Sequence, residues 1–346
     1  MRSYDTNGGP LRAFHRHGSG EAGNSASRSG RAVPGITVRY AEMGEGPLVL
    51  LVHGFPESWY NWRAQIPALA AAGYRVAAMD VRGYGGSSAP DGIAAYSLKE
   101  LAGDCARLAQ ALSPDAPAVI VGHDWGAPIA WTSALVHPST FRAVAGLSVP
   151  HSAPGDVPTD IVHDEVFTKR GRYFYIVDFQ QEGIAEAELE DDPAATIRRF
   201  YYAISGDAPD GTWPTDKKPG DGLLKGLPEP QMPLPWLGEE DVAYLASQFA
   251  ASGFRGPLNR YRNRRRDHEM LSGLDSHVIK QPSLFIGGTR DLATRLAGRA
   301  PIETMKTLLP DLRGLHMLEG CGHWTQQERP EECSRLLTEF LGTLDR

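Results

Sequence analysis

The stretch "VGHDWGAPIA", Val121 to Ala130, decides the architecture. An apolar run ends at Gly122, and two small residues, Gly122 and Gly126, bracket a short turn. A helical pattern then begins. A strand that feeds a helix through so tight a turn lifts its central residue above the end of a sheet. In the G-x-S-x-G version of this turn that residue is a serine; here it is Asp124.

Outward from the turn, strand and helix patterns alternate. "ITVRYAEMG" (36–44) alternates like a strand, "PLVLLVHG" (47–54) reads as a buried central strand, and "WRAQIPALAAAG" (62–73) as a helix stopped by glycine. "YRVAAMD" (74–80) and "APAVIVG" (116–122) are further strands around the helix "YSLKELAGDCARLAQAL" (96–112), and "FRAVAGLSVP" (141–150) follows. Such alternation predicts an α/β protein with a mostly parallel sheet covered on both faces. After Pro150 the strand runs stop. Residues 151–272 read as helices with a Pro/Gly-rich connection over 206–236, a length that is usually functional or mobile. "PSLFIGGTRD" (282–291) and "LHMLEGCGHW" (315–324) then restore strands, and "PEECSRLLTEFLGTL" (330–344) ends the chain as a helix. The expected organisation is a disordered tail over 1–30, a core in two parts (31–150 and 273–346) and a helical cap over 151–272.

Bulk properties narrow the function. The chain has 346 residues, 41% hydrophobic and 22% charged, with a net charge of −7. That balance supports a sizeable core and argues against nucleic acid. No segment is long and apolar enough for a membrane helix, and no apolar stretch behind the early arginines suggests a secretory signal. Cys105, Cys321 and Cys333 lack metal-ligand spacing and read as reduced thiols, so a cytoplasmic location is expected, with no metal and no organic cofactor.

The turn also sets chemistry. The N–H of Trp125 lies at a helix start, and the "HGFP" loop offers the N–H of Phe55; together they could hold a developing oxyanion. Asp291 and His323 each follow a strand, at the edge where open α/β sheets place their sites, in the order nucleophile, acid, histidine. Singly, each has a plainer reading as a cap or a turn residue. Jointly, they form a set. A carboxylate that attacks an acyl ester gives an anhydride, whereas attack on saturated carbon gives an ordinary alkyl ester that water can cleave with help from a histidine. Asp124 therefore points to substitution at carbon, with an epoxide oxygen or a halide leaving. Trp125 suits either. His53 and His123 flank the turn and are expected to be structural.

"HGFPESWYNWR", "DVRGYGGSSAP", "GHDWGAP", "FQQEGIAEAELE", "GPLNRYRN" and "CGHWTQQERP" resemble the soluble epoxide hydrolases of the α/β-hydrolase fold, from about Ile36 to the C-terminus. The resemblance implies Asp124 as nucleophile, Asp291 and His323 as the orienting pair, Phe55 and Trp125 as oxyanion donors, and a cis Phe55–Pro56 bond. It also implies that Tyr175 and Tyr261 hold the epoxide oxygen. Without it, Tyr175 would read as core and Tyr261 as part of a solvated face. Pro56, Trp324, Arg260 and His268 are expected to line the substrate pocket. Relatives usually carry tryptophan at the position of Arg260 and often an aromatic at that of His268. The run "RYRNRRRDH" (260–268) reads first as a solvated helix face, with Arg264, Arg265 and His268 beside Tyr261, and alternatively as the wall of a polar cleft. A haloalkane or haloacid dehalogenase using the same aspartate is the alternative function, and a non-catalytic ligand receptor a more distant one. The expected partners are an epoxide and water; the sequence leaves oligomeric state open.

Overall fold

The computed structural model describes residues 2–4, 30–33, 36–298 and 300–344. Nine strands form one sheet: β1 (Arg2–Tyr4), β2 (Gly30–Val33), β3 (Ile36–Met43), β4 (Leu48–Val52), β5 (Arg75–Met79), β6 (Ala118–His123), β7 (Phe141–Leu147), β8 (Ser283–Gly288) and β9 (Leu312–Leu318). The spatial order is β1-β3-β5-β4-β6-β7-β8-β9, with β2 also paired to β3. From β5 to β9 every neighbour is parallel, and β3 joins β5 antiparallel. β4, β6 and β8 are buried along their whole length, as strands covered on both faces must be.

Period-two alternation sends successive side chains into two cores. Leu50, Val52 and Ile120 pack beneath the helices Leu98–Leu112 and Gly126–Val136. Val49, Leu51 and Val121 pack beneath Gln65–Ala71 and Pro330–Gly342. The tail expectation is corrected at Arg2–Tyr4 and Gly30, whose backbones pair with β3. A ladder needs only backbone N–H and C=O groups, so a polar composition does not exclude it. The other residues of that tail lie outside the described ones.

Between β7 and β8 the chain forms helices Thr159–Val166, Tyr175–Asp178, Ile184–Asp191, Pro193–Ala203, Glu239–Ser252, Arg255–Tyr261 and Arg264–Ser272. The long 206–236 connection is pinned by Glu188, whose carboxylate accepts the N–H groups of Leu223 (2.7 Å) and Leu224 (2.8 Å). Leu223, Leu227 and Leu237 are buried beneath it.

The reading of 260–268 as one solvated helix is corrected. The helix ends at Tyr261 and a new one starts at Arg264. The cause is Asn263, whose side-chain amide donates to the Asn259 carbonyl at 2.8 Å, the acceptor that a continuing helix would give to its backbone N–H. Arg260, Arg262, Asn263 and Asp267 are buried, while Arg265 and Arg266 are exposed. Arg262 is drawn inside by Glu186 (2.6 Å) and the Phe179 carbonyl (2.9 Å).

Candidate active site

Asp124 sits immediately after β6 with φ 50°, a left-handed conformation unusual for aspartate. The flanking glycines allow it. A Cβ on Gly122 would lie 1.9 Å from the Gly126 carbonyl oxygen, and one on Gly126 would lie 2.1 Å from that of Val52. Strand and helix therefore touch backbone to backbone, and the turn can be that sharp.

The carboxylate is asymmetric. Its Oδ1 accepts the Phe55 N–H at 2.7 Å, and its Oδ2 lies 3.2 Å from His323 Nε2. The Trp125 N–H belongs to the first turn of the following helix, where donors lack intrahelical acceptors. His323 Nδ1 faces Asp291, 3.1 and 3.2 Å from its two oxygens, and Asp291 is completely buried after β8, where it also caps Ala293. The Phe55–Pro56 bond is cis.

Electrostatics follow from this arrangement. Burial opposes charge on His323, but the charge of Asp291, hydrogen bonds to Asp124 and Asp291 and the charge of Asp124 outweigh it and hold the imidazole well above its ordinary range. Burial likewise opposes charge on Asp124. The hydrogen bond and charge of His323, the charge of His123 and the Phe55 N–H prevail and lower it. The pair rests as carboxylate and imidazolium.

Tyr261 is buried, with its ring 5.1 Å from Trp125, 5.3 Å from Phe55 and 6.1 Å from Tyr175. Burial first, and nearby negative charge with it, raises both phenols well above the usual range, so each keeps its proton. The Trp125 ring stands edge-on to that of Tyr261.

The pocket expectations divide. Arg260 and His268 line a cavity of about 240 Å³ beside Trp125, whose walls do not include Asp124, His323, Tyr175 or Tyr261. Trp324 does not: it is fully buried, stacked on Tyr201 at 4.0 Å with its N–H on the Tyr201 carbonyl, and it backs the His323 ring. Pro56 is buried, its carbonyl accepting the Tyr201 hydroxyl at 2.9 Å.

Two carboxylates missed in the sequence brace the site. Glu57 accepts the Gly54 N–H (2.5 Å), faces His123 Nδ1 (2.9 Å) and accepts Gln326 (3.0 Å). His123 reaches on to the His323 carbonyl at 2.8 Å. Glu328 accepts the N–H groups on either side of His323, those of Gly322 (2.8 Å) and Trp324 (3.0 Å), and that of Gly206 (2.8 Å). His53 is held by Val81 N–H (3.0 Å) and the Gly54 carbonyl (2.9 Å). Both histidines that flank the turn are thus bound into the scaffold. A carboxylate two residues after the "HGF" loop, or five after a strand-end histidine, was the available signal, but neither pattern distinguishes a brace from a surface charge.

A parallel sheet with an acidic residue on a strained strand-to-helix turn, facing a His–Asp pair, defines an α/β-hydrolase. Residues 47–189 match the family model described as alpha/beta hydrolase fold. Over 90% of its length the chain is 42% identical to epoxide hydrolase A of Mycobacterium tuberculosis, covering 96% of that protein. Two solved structures are similar. An epoxide hydrolase from an endophytic Streptomyces superposes with a TM-score of 0.83 at 44% identity, over 88% of this chain and 92% of that one. Epoxide hydrolase A of Mycobacterium thermoresistibile gives a TM-score of 0.84 at 39% identity, over 92% and 98%. The chain belongs to the epoxide hydrolase family and is an enzyme of that class.

Proposed function

We propose that the enzyme opens its epoxide in two covalent steps centred on Asp124. Oδ2, which no backbone donor holds, attacks a ring carbon while Tyr175 and Tyr261 donate to the departing oxygen. An alkyl ester forms, one phenol proton passes to the alkoxide, and the phenolate regains a proton from the His323 imidazolium through solvent, which leaves the imidazole neutral for the next step. Water, deprotonated by His323, then adds to the Asp124 carbonyl carbon, with the oxyanion on Oδ1 held by the N–H groups of Phe55 and Trp125. Collapse releases the vicinal diol and restores the carboxylate. Asp291 orients the ring and stabilises the imidazolium. The helices between β7 and β8, over about 151–272, serve as a cap that brings the phenols to the core. No helix of the described residues is long and apolar enough to cross a membrane, and three buried free cysteines suit a cytoplasmic enzyme.

The single observation that carries this reading is the asymmetry of Asp124, one oxygen on the Phe55 N–H and the other beside His323. It is tested by diol formation from styrene oxide in H₂¹⁸O. With enzyme in excess, a single turnover should give unlabelled diol, because the transferred oxygen comes from Asp124. Repeated turnovers should give labelled diol. Label in the single-turnover diol would mean direct attack by water, and the ester would be abandoned.

A pH effect follows from the same geometry. The charges of both aspartates raise His323 in the free enzyme. Esterification removes the charge of Asp124, so the cation loses one of its stabilising partners and its pKa falls. The neutral base then becomes available when it is needed. Ester decay, followed by rapid quench, should rise with pH through a lower midpoint than the His323 titration of free enzyme followed by NMR. Coincident midpoints would contradict the coupling.

A further inference from the structure

The cavity beside Trp125 has mostly apolar walls, including Leu135, Val149 and Leu271. A volume of about 240 Å³ exceeds the roughly 150 Å³ that accepts a benzene ring. Three charged side chains line it: Arg260, Asp267 and Arg264. Arg260 and Asp267 form a buried ion pair, which leaves only the Arg260 Nε without a partner. Arg260 also donates to the Tyr96 carbonyl (3.0 Å) and lies 4.4 Å over the Trp125 ring, and Asp267 accepts the Leu98 N–H (2.8 Å).

Arg264 differs. Its Nε donates to Thr159 at 3.0 Å, but its two terminal nitrogens have no acceptor among the described residues, and Nη1 is buried. Asp160, the acid that acts on it, gives its Oδ2 to Arg265 at 2.7 Å, and its buried Oδ1 makes no hydrogen bond to Arg264. Burial draws Arg264 below the usual guanidinium range, and burial together with the charge of Arg264 pushes His163 down to about 4. Arg264 therefore brings to an apolar wall of the cavity a guanidinium whose buried Nη1 has no acceptor. A buried guanidinium without an acceptor is costly unless a ligand supplies one.

We propose that this cavity is a carboxylate-binding subsite in which Arg264 receives the anionic end of an epoxide whose arm is aryl or short alkyl. The cavity shares Trp125 with the Asp124 turn, and Arg264 interacts electrostatically with both Tyr175 and Tyr261, so the subsite and the phenols face one substrate if its arm reaches past Trp125. The proposal rests on the hydrolase reading given above and names the substrate class for it.

The test compares kcat/KM for 4-(oxiran-2-yl)benzoate and its methyl ester. Wild type should favour the acid on the order of tenfold or more, the range expected of one charge-assisted pair. In Arg264→Gln the acid-to-ester ratio should fall to about one, and Arg264→Lys should keep part of the preference. In parallel, calorimetry with 3-phenylpropanoate and 3-phenylpropanamide reads binding without turnover and should show the same loss. No preference for the acid in wild type, or a ratio unchanged in Arg264→Gln, overturns the subsite. Absence of any diol from wild type would instead remove the hydrolase reading, and calorimetry would still decide this one.

Discussion

Replacing His323 with glutamine is expected to stop the enzyme halfway through its first turnover, with the substrate attached to Asp124. The imidazole is not the attacking group, so ring opening survives. What fails is the activation of water, since a glutamine amide cannot take its proton. Steady-state diol formation should fall on the order of 10³-fold or more, while the intact mass rises by that of the epoxide and the adduct maps to the peptide holding "GHDWG". Asp124→Ala separates the two steps from the other side: it should show neither adduct nor diol. A methyl group at φ 50° is no larger than the side chain it replaces, so its fold should persist, as circular dichroism would check. Adduct-free His323→Gln enzyme that has made some diol would contradict a covalent route.

The second large effect concerns the departing oxygen. An epoxide oxygen leaves as a strongly basic alkoxide, and two phenols that stay protonated can each share that charge. Losing one donor of this kind typically costs about 10²–10³-fold. Tyr175→Phe or Tyr261→Phe should slow ester formation by about 10²-fold, and the double variant on the order of 10⁴-fold. Rapid-quench measurement of ester formation would check this, because ester decay does not involve the phenols and should change far less. An unaltered rate of ester formation in either single variant would remove that phenol from the reaction.

Much of this was legible in the residues. Continuous apolar runs such as "LVLLV" can be satisfied only between two covering layers, and β4 is indeed buried throughout. Asp124, Asp291 and His323 were readable because each lies in the loop just beyond a strand's carboxyl end, and parallel strands deliver such residues to one edge. The arginines of 260–268 were misread because charge predicts exposure unless a partner is known. Arg260 is held partly from within the run, by Asp267, but its other acceptor, the Tyr96 carbonyl, and the Glu186 that pairs with Arg262 lie far away in sequence. Trp324 was misplaced for a similar reason: adjacency to His323 in the chain does not say on which side of the imidazole an indole packs. Glu57 and Glu328 were invisible as braces because their acceptor roles depend on backbone N–H groups that only the folded loops bring together.

The hold of Glu328 on Gly206 has a consequence for traffic. The N–H of His323 also donates to the Ile204 carbonyl at 3.0 Å, so the segment around 204–206 is sewn to the same turn that carries His323. If the whole cap swung away as a rigid door, it would tear those stitches and shift the histidine each time substrate entered. Helix Thr159–Val166, at the opposite border, buries none of its side chains and is tied down by the Arg264–Thr159 and Arg265–Asp160 contacts. A substrate route that keeps His323 in register is one that spares the bonds at Ile204 and Gly206, whereas the ties at Thr159 and Asp160 lie on the exposed surface and touch no residue of the Asp124–His323 pair.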